Sequence, residues 1–150
     1  MQIKPAMKRF LVAILVIILS ATVAHAKMVS VKHHRVNMRS GPGKNYAILW
    51  ELGKGYPLKI EETKGNWVKV TDFEGDVGWL YNTFITNVPH LIVIKDRINI
   101  RSGPGNDYSI KGKANYGVVL RTLKIIKGWA QVKHEDGLQG WVKRDLVWGW

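Results

Sequence analysis

The sequence predicts an all-β chain built as two small barrels in tandem, carried behind a cleavable export signal. Three observations predict it. A ten-residue stretch, Asn37 to Tyr46, returns as Asn99 to Tyr108 with Arg-Ser-Gly-Pro-Gly unchanged at its centre. Around each copy, apolar residues alternate with polar ones over short runs bounded by glycine and proline, the pattern of half-buried strands. No window sustains a helical period.

The export signal comes first in the chain. Lys4, Lys8 and Arg9 precede the unbroken apolar run Phe10 to Leu19, and the segment closes on Ala24-His25-Ala26. A basic start, a short apolar core and an Ala-x-Ala close are those of a secretory signal peptide, with cleavage between Ala26 and Lys27. The alternative is an anchor left in the membrane, but the run from Phe10 to Ala24 is shorter than the roughly 20 residues a spanning helix needs. No cysteine follows it, so a lipoprotein anchor is excluded. The chain has no cysteine at all, which removes disulfides, thiolate metal sites and cysteine nucleophiles together. Export also changes what the charge means. The net +12 falls to +9 without residues 1–26, which hold three basic side chains and no acid. Nucleic acid is then not an expected partner, whereas anionic envelope material is. The mature chain is expected in a periplasm or outside the cell, with no stable membrane span.

Sliding the chain on itself by 62 residues aligns the halves without a gap. Ile48 meets Ile110, Leu58 meets Leu120, Trp67 meets Trp129, and Gly78-Trp79 meets Gly140-Trp141. A constant offset over some fifty residues marks a tandem duplication. The expected organisation is a signal peptide over 1–26, a first domain over 27–86, a linker over 87–90 and a second domain over 91–150. In the first copy, strands are expected at Val29–Lys32, Val36–Arg39, Pro57–Glu61, Trp67–Thr71 and Val77–Tyr81. Ser40 to Gly55 reads as a turn-rich loop, opened by a proline and by Gly43 in the positive-φ place of a type II turn. Val119–Leu123, Trp129–Lys133 and Gln139–Lys143 repeat the scheme. The linker, stiffened by Pro89, limits swinging of the domains. Trp148 and Trp150 are expected to pack on the barrel or across the domain interface, since free exposure is unfavourable.

Here the residues carry a resemblance. Asn-x-Arg-Ser-Gly-Pro at the start, Trp67-x-x-Val70 and Trp129-x-x-Val132 in the middle, and Gly78-Trp79-Leu80 and Gly140-Trp141-Val142 at the end resemble the bacterial SH3-like (SH3b) domain. The motifs cover nearly all of residues 29–148. The resemblance implies two SH3-like five-stranded barrels and a non-enzymatic accessory role in binding or targeting on cell-wall proteins.

The residues themselves give catalysis little support. The serines available as nucleophiles are Ser30, Ser40, Ser102 and Ser109, two of them inside the turn motif, where a hydroxyl tends to bond its own backbone. No Gly-x-Ser-x-Gly elbow is present. His33 and His34 are neighbours on an expected strand, so they face opposite sides and cannot chelate together. Asp72-x-Glu74-x-Asp76 lacks the spacing of a calcium loop, and the second copy reads His134-x-Asp136-x-Leu138, so a solvated hairpin tip is expected. No metal and no cofactor are expected.

The aromatic residues are the better candidates. Strand alternation puts Val68 and Val70 on the core face and Trp67 with Lys69 on the wetter one, with Trp129 and Gln131 likewise. A tryptophan there either stacks on a ligand or closes a barrel end. Tyr46 and Tyr108 follow the Gly-Pro-Gly turn. The resemblance to the eukaryotic barrels implies a groove beside that loop, with Phe84 and Leu146 near its other wall and Tyr81 and Lys143 close by. The loop holds Lys44, Lys54, Lys111 and Lys113 against only Glu51 and Asp107, so a basic proline-rich peptide is disfavoured and a carboxylate-bearing ligand such as a stem peptide is favoured. Arg39 and Arg101, at the strand end before the turn, are expected to be structural, bridging loop carbonyls or an acid of the last strand. The expected partner is peptidoglycan-type material or a cell-wall-associated protein. The alternatives are a structural adaptor binding a protein at an exposed edge, and a non-specific binder of anionic envelope polymer.

Overall fold

A computed structural model describes residues 26–150, and these form two antiparallel sheets, one per repeat. The signal-peptide expectation therefore falls almost wholly outside the described residues. Among the described residues no helix is long and apolar enough to cross a membrane. The first repeat runs β1 (Met28–Val31), β2 (Val36–Arg39), β3 (Ile48–Leu52), β4 (Pro57–Lys64), β5 (Trp67–Thr71), β6 (Val77–Tyr81), a 3-10 turn at Asn82–Phe84 and β7 (Ile85–Thr86). The second runs β8 (His90–Val93), β9 (Arg97–Arg101), β10 (Ile110–Asn115), β11 (Val119–Ile126), β12 (Trp129–Lys133), β13 (Gln139–Lys143), a 3-10 turn at Arg144–Leu146 and β14 (Val147–Gly149). Strand order is β3-β2-β6-β5-β4-β1-β7 in the first sheet and β10-β9-β13-β12-β11-β8-β14 in the second.

The tandem all-β architecture is thus as the sequence predicts, but each sheet has seven strands where five were expected. The additions are the two edges. β7 and β14 are too short to register as alternation. β3 lies inside the stretch read as loop, because Ile48, Leu49, Trp50 and Glu51 are all exposed and only Leu52 is buried. An edge strand with no buried face shows no period.

The pleat builds the core as expected. Val68 and Val70 point inward from β5 and join Val29, Val31, Met38, Leu58 and Leu80; Leu91, Ile100, Leu120, Val132 and Val142 do the same in the second repeat. The glycine of the Gly-Trp motif is a packing requirement. A Cβ on Gly78 would lie 2.5 Å from Met38 Cγ and 3.0 Å from the Arg39 carbonyl oxygen, so only glycine lets β6 pass over the end of β2.

The repeated turn differs from the expected type II turn. Neither Gly43 nor Gly105 has a positive φ. Instead the Gly43 N–H donates to the Gly41 carbonyl at 3.0 Å, and Gly105 to Gly103 at 3.0 Å, closing a three-residue turn around the proline. The fixed φ of proline suits the centre of such a turn. Arg39 Nη1 donates to the carbonyls of Lys44 at 3.1 Å and Tyr46 at 2.9 Å, and Arg101 Nη1 to those of Asn106 and Tyr108 at 2.9 Å each. Both arginines hold their loops, as the sequence suggests.

The repeats meet over a mixed junction. The four-residue linker over 87–90 is one residue shorter in the structure, since His90 opens β8. Ser30 Oγ donates to the Val88 carbonyl at 2.9 Å, and His90 Nδ1 lies 3.0 Å from the same oxygen. The tip of the β5–β6 hairpin reaches the second repeat. Phe73 packs at 5.5 Å between ring centres on Tyr116, whose hydroxyl donates to Glu74 at 2.6 Å. β14 packs against β4, so the half-buried Trp148 belongs to a strand that lies across the interface.

Candidate functional site

Trp67, Tyr81 and Phe84, three of the four aromatic residues singled out in the first repeat, converge on one cleft. Register on the β5–β6 ladder sets Trp67 opposite Tyr81, and their rings meet edge to face at 5.4 Å and 83°. The 3-10 turn after β6 carries Phe84 back beside Tyr81, ring centres 6.1 Å apart, and His33 stands edge-on to Phe84 at 6.0 Å. Phe84 is 41% exposed, which is high for a phenylalanine with two aromatic neighbours. The cleft has a volume of about 490 Å³.

Its opposite wall is basic. Arg35, Arg39 and Lys44 line it, with Asn37 between, and no acid lines it. Arg35 makes a surface ion pair with Glu51 at 3.4 Å, which solvent makes weak. Arg39 spends Nη1 on the loop carbonyls, which fixes the guanidinium plane against this wall. An aromatic wall facing three cations stacks a planar or sugar-like surface and attracts a carboxylate.

The other predicted residues are placed differently. Tyr46 is outside the cleft, with its ring lying on Gly41 and Gly43. Tyr108 lies in the same way on Gly103 and Gly105. In the second repeat Trp129 faces Lys143 across β12–β13, and Lys143 Nζ is 3.7 Å from Asp145. There Lys143, Asp145 and Leu146 stand where the first repeat has Tyr81, Thr83 and Phe84. The offset of 62 hides this, because it aligns positions without weighing what each one does.

His33 and His34 lie in a bend between β1 and β2, not on a strand, so alternation is not what separates them. Asp72, Glu74 and Asp76 do bring carboxylate oxygens within 4.8 Å of one another. Their engagement is internal. Asp72 Oδ1 accepts the backbone N–H groups of Glu74 and Asp76 at 2.9 Å each, and Oδ2 accepts the Tyr56 hydroxyl at 3.2 Å. Burial, with Asp72 beside it, pushes the Tyr56 phenol well above its usual range. Ser30, one of the candidate nucleophiles, has an imidazole 3.1 Å away in His90, yet it is fully buried and gives its proton to the Val88 carbonyl.

The family comparison agrees with the fold. The family described as bacterial SH3 domain matches residues 32–86 and again residues 94–149. YrvJ of Bacillus subtilis (strain 168), named for an N-acetylmuramoyl-L-alanine amidase activity, is 28% identical over 139 residues. That alignment takes 85% of this chain and 26% of YrvJ, so the chain spans about a quarter of the relative's length. Among solved structures, an NlpC/P60 family protein from Bacillus cereus ATCC 10987 gives a TM-score of 0.37 at 16% identity, covering 83% of this chain and 56% of that one. NlpC2 from Trichomonas vaginalis gives 0.37 at 14%, covering 82% and 48%.

Proposed function

The chain belongs to the bacterial SH3 domain family in both halves, and on that premise we propose an exported, non-enzymatic module that binds peptidoglycan-type cell-wall material. The observation that carries this reading is the cleft of the first repeat, where Trp67, Tyr81 and Phe84 face Arg35, Arg39 and Lys44 with no acid among the lining residues. A stem peptide offers what such a cleft attracts: carboxylates for the basic wall and a flat backbone for the rings. The name of YrvJ, which concerns a wall building block, supports a wall context for its matching quarter. The engaged state of Ser30 supports a binding rather than a hydrolytic role.

Sedimentation with purified peptidoglycan tests it. The protein is expected to pellet with the wall at physiological salt, Trp67→Ala to lose most of that binding, and Trp129→Ala to keep it. Failure of the unaltered protein to pellet overturns the reading. Non-specific capture by anionic polymer would instead disappear steeply with added salt and ignore Trp67→Ala.

A further inference from the structure

On the far side of the first sheet, β3 is an edge with one neighbour, β2. Ile48, Leu49 and Trp50 follow one another on it, and Trp50 is 52% exposed. Three consecutive apolar residues on an open edge are what folded proteins ordinarily avoid, because the free N–H and C=O groups invite another strand. The second repeat avoids it. At the positions of Leu49, Trp50 and Glu51 it has Lys111, Gly112 and Lys113. Lys111 Nζ donates to the Gln139 carbonyl at 2.6 Å, and Leu138 lies so close over Gly112 that a Cβ there would be 2.5 Å from it. The two edges share an ancestor and a bulge, at Leu49 and at Lys111. One is blunted and filled; the other is open.

Beside the open edge is a cavity of about 140 Å³, bordered by Trp50, Glu51, Asp72, Glu74 and Asp76 with no cation among its lining residues. Four of the six acids in residues 27–86 meet at this one place, on a chain whose net charge is +12. Asp72 and Glu74 are engaged by Tyr56 and Tyr116, and Glu51 has only its exposed ion pair with Arg35, so Glu51 and Asp76 are the carboxylates beside the indole that a stronger cation can engage. An indole face with carboxylates at its rim attracts an ammonium or guanidinium.

We propose that the open edge of β3 is a docking surface for an extended polypeptide segment bearing lysine or arginine. The segment adds as a strand beside β3, packs its apolar side chains on Ile48 and Leu49, and sets one cationic side chain against Trp50 between Glu51 and Asp76. This surface is separate from the aromatic cleft and takes a ligand of opposite charge.

The test is amide chemical-shift mapping on the full chain with a short capped peptide of alternating valine and lysine, and with its glutamate counterpart. Saturable shifts centred on Ile48–Leu52 are expected with the lysine peptide only. Leu49→Lys with Glu51→Lys, which installs residues the second repeat carries on its own edge, is expected to weaken binding at least tenfold while leaving the rest of the spectrum in place. Trp50→Gly should do the same, and Trp67→Ala should leave this binding intact while removing wall binding. Shifts centred on the cleft or on β10, equal shifts from the glutamate peptide, or concentration-dependent self-association through β3 without peptide would each overturn the proposal.

Discussion

An alanine at Gly41 would place its Cβ 2.3 Å from Cδ1 of Tyr46, and at Gly103 2.2 Å from Cδ1 of Tyr108. Both glycines are therefore kept small by a tyrosine ring rather than by a backbone angle. Proline and glycine together point to turn geometry more strongly than to a ring lying flat on a Cα, so the tyrosine contact is not legible in the motif. Gly41→Ala is expected to destabilise the first repeat by about 1–3 kcal/mol, the usual range for overpacking. Urea denaturation of Gly41→Ala, Tyr46→Ala and the double variant checks the cause. If the clash is responsible, the glycine substitution costs much less once the ring is gone. Phe84 behaves in the opposite sense. Partly exposed, with Tyr81 and His33 as its aromatic neighbours, it is expected to cost about 1 kcal/mol on truncation to alanine, near the value of an aromatic pair. Its effect should appear in wall binding instead.

At the scale of strands, legibility followed burial. β2 and β5 have one face in the core and are visible as alternation in Val36–Arg39 and Trp67–Thr71, whereas β6, buried at Gly78, Trp79 and Leu80 alike, is marked by its recurring Gly-Trp pair. β3 has no such face, and its sequence has the look of a loop. The cleft was half legible for the same reason. Trp67 could be assigned to the outer face from Val68 and Val70, and Tyr81 and Phe84 followed from the resemblance to known barrels. The basic wall of Arg35 and Arg39 depends on how β2 lies against β6, a tertiary arrangement that spacing along the chain does not contain. The central strand should be the sensitive one. Leu80, fully buried in β6 between β2 and β5, is expected to cost about 2–5 kcal/mol as Leu80→Ala. Guanidinium unfolding should show that loss without a change of slope.

For the whole molecule, the junction decides whether two repeats behave as two domains or as one. Ile92 is fully buried on β8, although the equivalent position on β1 is Ser30, whose hydroxyl bonds the linker at Val88. The duplication has thus been adapted where the copies touch. His90 sits in this seam, with Nδ1 donating to the Val88 carbonyl and its ring edge against the Cα of Gly55. Desolvation lowers the pKa of this imidazole, with Arg121 and Lys54 adding to the effect, while the bond to Val88 opposes it. The folded protein therefore prefers His90 neutral. The unfolded chain takes up the proton first as pH falls below the ordinary histidine value near 6.5, and stability is lost progressively from there down through the lower folded value. Above that window the seam keeps its full contribution. Unfolding free energies measured between pH 7.5 and 5 are expected to fall for the unaltered protein and to fall less for His90→Gln, which cannot take up the proton. Calorimetry on the same pair should locate the effect. Acid is expected to split one unfolding transition into two as the repeats separate, and Phe73→Ala, which strips the hairpin tip from Tyr116, should bring the split to neutral pH. Two transitions at neutral pH in the unaltered protein, or an identical pH slope in His90→Gln, would show that the seam does not couple the repeats.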